Sequence, residues 1–260
     1  MTKVALCISG QPRSAIETFP LIYENIIVPN NADVFIHMNF DSNNTYIEKS
    51  HSDNGICNLT SNIDKQVIEL YKPKNVVIEK PKNFKNKNIQ IPINRLERSK
   101  KMNSHKEWND EQHTEYTIKQ LYSMYYSIYK CNELKELYAL KNNIHYDYVI
   151  RIRFDITPKD KLICSNYDSN FINYLDIGQP DELISDWLNF GSNAIMNIYA
   201  SLFLNIEYLN KYTFYKKNER LLNLLEPSEY CGGLYEHMLR DLMHLHKIPK
   251  HGLKLNCGLA

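Results

Sequence analysis

No part of this chain constrains its fold more than residues 146–156, which read Tyr-Asp-Tyr-Val-Ile-Arg-Ile-Arg-Phe-Asp-Ile. Successive side chains of a β-strand point to opposite faces of the sheet. Every second residue from 148 to 156 is apolar, and the alternate positions hold Arg151, Arg153 and Asp155. The pattern predicts a strand with one face in the core and three charged side chains on the other.

Shorter apolar runs predict three further strands, at residues 3–8, 32–40 and 75–79. Such continuous runs are typical of strands buried on both faces of a parallel sheet. The strands alternate with helical stretches, as βαβ architecture requires. Residues 80–110 are rich in Lys and Asn and lack a sustained period, which predicts a long loop.

Helical periodicity is clearest over residues 111–141, which we expect to form one long helix. The tyrosines on its apolar face are expected to pack in the core rather than stack on a ligand. Two further helices are predicted at 193–209, with Ser192 as N-cap, and at 229–246.

The composition fits one globular domain. The chain has 260 residues, of which 43% are hydrophobic and 23% are charged, and these proportions allow a substantial core. We therefore expect a single α/β domain over residues 1–260, with a Rossmann-type, mostly parallel central sheet flanked by helices.

Charge and cysteine usage narrow the partners and the compartment. Lys and Arg total 31 against 30 Asp and Glu, so no net field draws the protein to nucleic acid or to an anionic membrane. The six cysteines are scattered without a C-x-x-C pair, which favours a reducing compartment. No apolar run is long enough for a signal peptide or a membrane span. We expect a cytoplasmic protein that binds no nucleic acid and has no transmembrane segment.

The charged residues of the strongest strand predict a ligand site. Ligands of open α/β sheets bind beyond the carboxyl ends of the strands. Two guanidiniums, Arg151 and Arg153, suit a diphosphate, and Asp155 is expected to hold a divalent cation or a sugar hydroxyl beside them. The alternative is a solvated face whose charges pair with one another.

Two other strand ends carry polar groups. His37 and Asp41 share one face at the end of the second strand, where we expect Asp41 to contact ligand; a structural role is the alternative for His37. The turn after the first strand contains Ser9, Gly10, Gln11 and Arg13. Gly10 allows the backbone to approach a ligand, and Arg13 adds a cation for a nucleotide base or phosphate. An ordinary turn with Arg13 in solvent is the alternative.

Two acidic residues are candidates for a general base. Asp186 lies on a loop-like segment where a carboxylate could meet a sugar hydroxyl, although it could also form a turn. Glu229 opens the last predicted helix, where the helix dipole favours an acid whatever the function.

Four segments together resemble a known family: residues 4–13, 32–37, 147–155 and 186–191. They are similar to the small GT-A-like nucleotide-sugar glycosyltransferases of bacterial polysaccharide clusters and large DNA viruses. The resemblance implies a nucleotide-sugar-binding half at 1–160, whose first turn holds the base, and an acceptor-side half at 161–260.

The resemblance also implies that Asp155 stands where this fold has its D-x-D motif for metal and diphosphate. Mn²⁺ or Mg²⁺ at Asp155 is therefore expected. Arg153 replaces one carboxylate of that motif, and two arginines are able to neutralise a diphosphate without metal, so metal-free catalysis stays an alternative.

The expected reaction is transfer of a hexose or pentose from a nucleoside-diphosphate sugar to a hydroxyl of a glycan or other acceptor. Asp186 or Glu229 would take the acceptor proton if the reaction inverts configuration. One alternative is a sugar nucleotidyltransferase, which would carry a longer Gly-rich turn with a Lys after the first strand. Another is a non-catalytic module that binds phosphate or glycan.

Overall fold

The computed structural model describes residues 2–48, 56–84, 89–91, 96, 100, 107–178, 183–221 and 234–260. The strands within these ranges are β1 (Val4–Gly10), β2 (Asp33–Asn39), β3 (Tyr46–Glu48), β4 (Ile56–Asn58), β5 (Asn75–Glu79), β6 (Tyr148–Ile152), β7 (Ile156–Pro158), β8 (Ile172–Leu175), β9 (Leu188–Gly191), β10 (Lys250–Leu253) and β11 (Cys257–Leu259). The helices are α1 (Ala15–Ile22), which continues through a π-helical turn (Tyr23–Ile27) into α2 (Val28–Asn30), then α3 (Ile63–Tyr71), α4 (Asp110–Asn142), α5 (Asn193–Ala200), α6 (Leu202–Leu221) and α7 (Leu234–Leu245).

A seven-stranded sheet forms the centre of the described structure, in the order β10-β8-β9-β6-β1-β2-β5. β1 pairs in parallel with β2 and β6, and β2 with β5. Only β9 runs against its neighbours in this sheet, β6 and β8. The predicted mostly parallel α/β fold is confirmed, and strands from both expected halves share one sheet.

Helices cover both faces of the sheet. α1 and α3 contribute to the apolar core on one face, whereas α4 to α7 contribute to the core on the other. α4 lies across β1, β2 and β5. Of the tyrosines on its predicted apolar face, Tyr125 is buried and Tyr138 is partly buried against the core, which confirms the predicted packing role.

Sequence patterns locate helix starts well. A capping box between Asn109 and Gln112 begins α4, one residue before the predicted start. The Ser192 hydroxyl accepts from the Ile195 amide at the start of α5, so the predicted N-cap is confirmed.

Two predicted elements differ from the structure. The strand over 146–156 is wrong in extent, because β6 ends at Ile152, Phe154 and Asp155 form a turn, and the chain resumes as β7. The turn is stabilised by the Thr18 hydroxyl, which donates to the Phe154 carbonyl at 2.6 Å. The helix predicted at 193–209 is two helices separated at Ser201.

The helix predicted over 229–246 is described from Leu234 onwards, as α7. Among the described residues, no helix combines the length and the apolar character that a membrane span requires.

Candidate functional site

The strand order of the sheet reverses at β1. Its two neighbours, β2 and β6, both come later in the chain and lie on opposite sides of β1. In open α/β sheets the crevice at such a switch point is where ligands bind, beyond the carboxyl ends of the strands. Here the crevice is bounded by the turn after β1 and by the turn after β6. Both turns carry residues that the sequence predicted.

Gly10 ends β1 with a φ of +125°, a conformation that only glycine adopts readily. A Cβ added there would meet no atom within 4 Å. The glycine is thus required by the backbone rather than by space. It redirects the chain so that Gln11 and Arg13 lie beside the turn after β6.

An ion-pair cluster joins the two turns. Arg13 donates from Nη1 to Asp155 Oδ2 at 3.2 Å, and from Nε and Nη2 to Gln11 Oε1 at 3.3 and 3.2 Å. Arg153 donates to both oxygens of Asp155, at 2.8 and 2.7 Å. Asp155 therefore holds two guanidiniums at the mouth of the crevice, close to where the sequence predicted a phosphate site.

Asp155 is buried and charged. Burial alone would raise its pKa, but Arg153 and Arg13 outweigh burial, so the pKa of Asp155 lies below its ordinary value of 3.8. Its backbone carbonyl accepts from the Ala260 amide at 3.0 Å, where β11 pairs with β7. The carboxylate is thus a fixed anchor for the arginines.

Asp186 extends the cluster from the segment before β9. Its Oδ2 lies 3.6 Å from Nη1 of Arg153, and the residue is buried. Burial alone would lower the pKa of Arg153, but Asp186 and Asp155 outweigh burial and raise that pKa above its ordinary value. Asp186 therefore lies against the predicted phosphate site. Glu229, the other candidate base, lies outside the described residues.

Arg151 differs from the other arginines, because it lies within β6 rather than beyond its end. It pairs in register with Cys7 of β1 and Asn189 of β9, and only 2% of it is exposed. The predicted role of Arg151 in diphosphate binding stays a prediction. Ser9, which the sequence also assigned to the site, is buried too.

His37 belongs to a separate buried network. Its Nδ1 lies 2.7 Å from Ser127 Oγ, and its Nε2 lies 3.4 Å from Glu79 Oε2. Glu79 also accepts from Tyr126 at 2.7 Å, and Lys82 donates to Tyr126. Burial lowers the pKa of His37, although Glu79 opposes this. The contacts match the structural alternative for His37.

Asp41 lies after β2 at the edge of the structure. It pairs with Lys80 at 3.2 Å and accepts from the Asn43 amide at 3.0 Å. The amide and Lys80 lower its pKa. These are local turn contacts, and its predicted contact with ligand stays a prediction.

Sequence reasoning missed two groups near the crevice. The pKa of Arg13 is lowered by burial, and Tyr116 of α4 is among the groups whose electrostatic effect opposes that shift. The Tyr116 ring in turn packs against Trp108 at 5.4 Å. Glu236, in the first turn of α7, helps raise the pKa of Arg153. Neither group had a sequence signal that linked it to the site, because Tyr116 and Glu236 lie far in the chain from Arg13 and Arg153.

A metal ion at Asp155 would compete with Arg13 and Arg153 for the carboxylate oxygens. Both carboxylate oxygens accept from guanidiniums, so a cation would have to displace one of them. Among the described residues, no group of three or more His, Cys, Asp or Glu side chains is arranged to hold a metal. Mn²⁺ or Mg²⁺ at Asp155 stays a prediction.

The fold and the site together define an α/β protein in which two arginines pair with Asp155 and Asp186 at the switch point of the sheet. Comparison of the sequence with protein-family models and with curated proteins finds no match.

Proposed function

We propose that the protein is a glycosyltransferase that uses a nucleoside-diphosphate sugar. One observation carries the proposal: Arg13 and Arg153 converge on Asp155 at the carboxyl edge between β1 and β6. Guanidiniums held in fixed orientations are suited to phosphate oxygens, which accept two parallel hydrogen bonds. A diphosphate leaving group requires such charge at the bond that breaks.

Asp155 accepts from two of the three nitrogens of Arg153, and a guanidinium has five N–H groups, so the substrate phosphates would accept from N–H groups that Asp155 does not use. Because Arg153 already bonds Asp155 through two nitrogens and approaches Asp186 with a third, its plane is fixed before ligand arrives. Preorganised donors stabilise developing charge without reorganisation during the reaction. Arg13, which Gln11 and Asp155 hold, would act in the same way from the opposite side of the crevice.

Transfer would proceed by cleavage of the bond between the anomeric carbon and the diphosphate oxygen, while an acceptor hydroxyl forms the new bond. The diphosphate leaves with the electron pair, and the arginines stabilise its charge. The acceptor proton goes to a carboxylate if the reaction inverts configuration. Asp186 is a candidate because it lies beside Arg153, on the crevice side of β9; Glu229 remains the second candidate.

The experiment that tests the proposal is a thermal-shift screen of the purified protein against UDP, GDP, CMP, dTDP and their sugar conjugates. A ligand that binds only the native state raises its melting temperature. We expect one nucleoside diphosphate to stabilise the wild type and to lose most of that effect in Arg153→Gln. Lys141→Gln, which removes one exposed positive charge at the far end of α4, is the matched control. Repeating the screen with Mn²⁺ tests the metal prediction.

The conjugate that binds is then incubated with acceptor hydroxyl compounds, and release of the nucleoside diphosphate is measured. Turnover supports the glycosyltransferase. Stabilisation without turnover would favour the phosphate- or glycan-binding module, and stabilisation by no nucleotide would contradict the proposal.

A further inference from the structure

Arg151 is a buried cation with unused donors. Within the part of the chain that the structure describes, its Nε and Nη1 atoms have no hydrogen-bond partner, although the residue is 2% exposed. Buried donors without partners are costly, and native proteins rarely keep them without a function or a bound group. The position therefore calls for an acceptor beyond the described residues.

A second unused donor lies on the neighbouring strand. Cys7 of β1 pairs in register with Arg151, and the alternation of side chains puts Ser9 on the same face, one pleat nearer the carboxyl edge. Ser9 is 3% exposed, and its hydroxyl likewise has no hydrogen-bond partner among the described residues. Two adjacent strands thus offer donors towards the same face of the sheet.

The groups nearest to Arg151 are mostly neutral. The register places it opposite Asn189, whose side-chain amide donates to the Ser185 carbonyl and whose oxygen accepts from Tyr199. Burial raises the pKa of Tyr125 far above its ordinary value and that of Tyr199 to about 12, so both phenols stay protonated. The nearby carboxylate of Asp186 lies against Arg153. Tyr199 also forms a side-chain hydrogen bond with Arg151, so one donor of the guanidinium is satisfied, whereas its Nε and Nη1 donors are not.

We propose that Arg151 and Ser9 form an inner oxyanion subsite, immediately below the crevice that Arg13 and Arg153 line. The ligand class is a phosphate-type oxyanion, which accepts from guanidinium N–H and hydroxyl O–H groups alike. The assignment of that oxyanion as a phosphoryl group of the donor rests on the proposed function. A free inorganic phosphate would use the same donors.

The first test measures melting temperature in potassium gluconate at constant ionic strength, with increasing inorganic phosphate, for wild type, Arg151→Met and Ser9→Ala. If Arg151 is a buried cation that lacks its anionic ligand, replacing it with the apolar Met should leave the phosphate-free protein at least as stable as wild type. We expect phosphate to stabilise the wild type, Arg151→Met to abolish that effect, and Ser9→Ala to weaken phosphate binding several-fold. Lys141→Gln should respond as the wild type does.

Three results would overturn the subsite: no stabilisation of the wild type by phosphate, equal stabilisation of Arg151→Met, or a large loss of stability in phosphate-free Arg151→Met. The last result would mean that the chain itself satisfies Arg151. If Arg151→Met does not fold, an unchanged phosphate response in Ser9→Ala is sufficient to reject the proposal.

A second arm separates this subsite from the proposed function. The nucleoside diphosphate found in the screen is titrated into wild type, Arg151→Met and Arg153→Gln, and we expect its affinity to fall about tenfold or more in both variants. If phosphate binds through Arg151 but no nucleotide binds, the subsite stands and the proposed function fails. If nucleotide affinity depends on Arg153 and not on Arg151, the proposed function stands and the donor does not reach the subsite.

Discussion

At the scale of single residues, Asp155 is the group on which the site depends. It accepts from Arg13 and Arg153 while it is itself buried. Breaking a buried ion pair by removing one partner costs more than the pair contributes, because the remaining charge is left without compensation. The same carboxylate therefore stabilises the fold and orients the arginines.

Asp155→Asn should lower the free energy of unfolding at neutral pH by up to about 3–5 kcal/mol, because two half-buried guanidiniums lose the buried anion that they share. Urea unfolding of the variant beside wild type measures this loss. Glu69→Gln, on the exposed side of α3, is a matched change of charge and should alter stability by less than about 0.5 kcal/mol. A loss equally small in Asp155→Asn would show that the ion pairs contribute little.

His37 should make stability depend on pH in the mildly acidic range. Because its pKa is lowered below 6.5 in the folded chain, the unfolded chain binds the proton first as pH falls. The contribution of neutral His37 is complete above pH 6.5 and is lost as pH falls through the lower, folded pKa. Three charged groups act on the ring: Glu79 raises the pKa of His37, whereas Lys130 and Lys82 lower it.

Melting temperatures of wild type and His37→Gln between about pH 5 and 7 check this prediction. The wild type should lose stability on acidification, and the variant should lose less over the same range. Parallel curves for the two proteins would remove His37 as the cause.

At the scale of elements, the end of β1 determines where the crevice residues lie. Gly10 adopts a φ of +125°, which a side chain opposes even though there is room for one. We expect Gly10→Ala to cost roughly 1–3 kcal/mol of stability by backbone strain, and to weaken nucleotide binding because Gln11 and Arg13 follow the turn. Denaturant unfolding and nucleotide titration measure the two effects; unchanged values for both would mean that the turn tolerates another conformation.

The elements also show what the sequence could predict. Continuous apolar runs predicted the strands β1, β2 and β5, and helical spacing of apolar residues predicted the long helix α4. These patterns were reliable because each element buries an uninterrupted set of apolar side chains. The end of β6 could not be read from the chain, since the alternation of Arg153, Phe154, Asp155 and Ile156 continues through a turn. That turn depends on Thr18 and on the pairing of β7 with β11, both distant in sequence.

The same limit applies to the site. Side chains after β1 and β6 could be predicted to meet because parallel strands end at one edge of a sheet. The burial of Arg151 could not be predicted from the sequence. It arises because α4 and α5 cover the face of the sheet that the strand pattern had marked as polar. Glu236 could not be assigned either, since its electrostatic effect on Arg153 depends on how α7 packs.

At the scale of the whole molecule, positive and negative charges are balanced. Basic and acidic residues number 31 and 30, so the attraction for an anionic ligand must come from the crevice itself. Local attraction of this kind is screened by salt to the extent that the groups are exposed. The affinity for a ligand bound by Arg13 and Arg153 should therefore depend on the phosphates of the ligand more than on the net charge of the protein.

The most direct measurement is a calorimetric titration of wild type and the Arg13→Gln/Arg153→Gln double variant with a nucleoside diphosphate and with the corresponding nucleoside. The crevice predicts that the diphosphate binds wild type at least about tenfold more tightly than the nucleoside does, and that this difference disappears in the double variant. Equal affinities in the wild type, or a difference that survives loss of both arginines, would contradict a diphosphate site between β1 and β6.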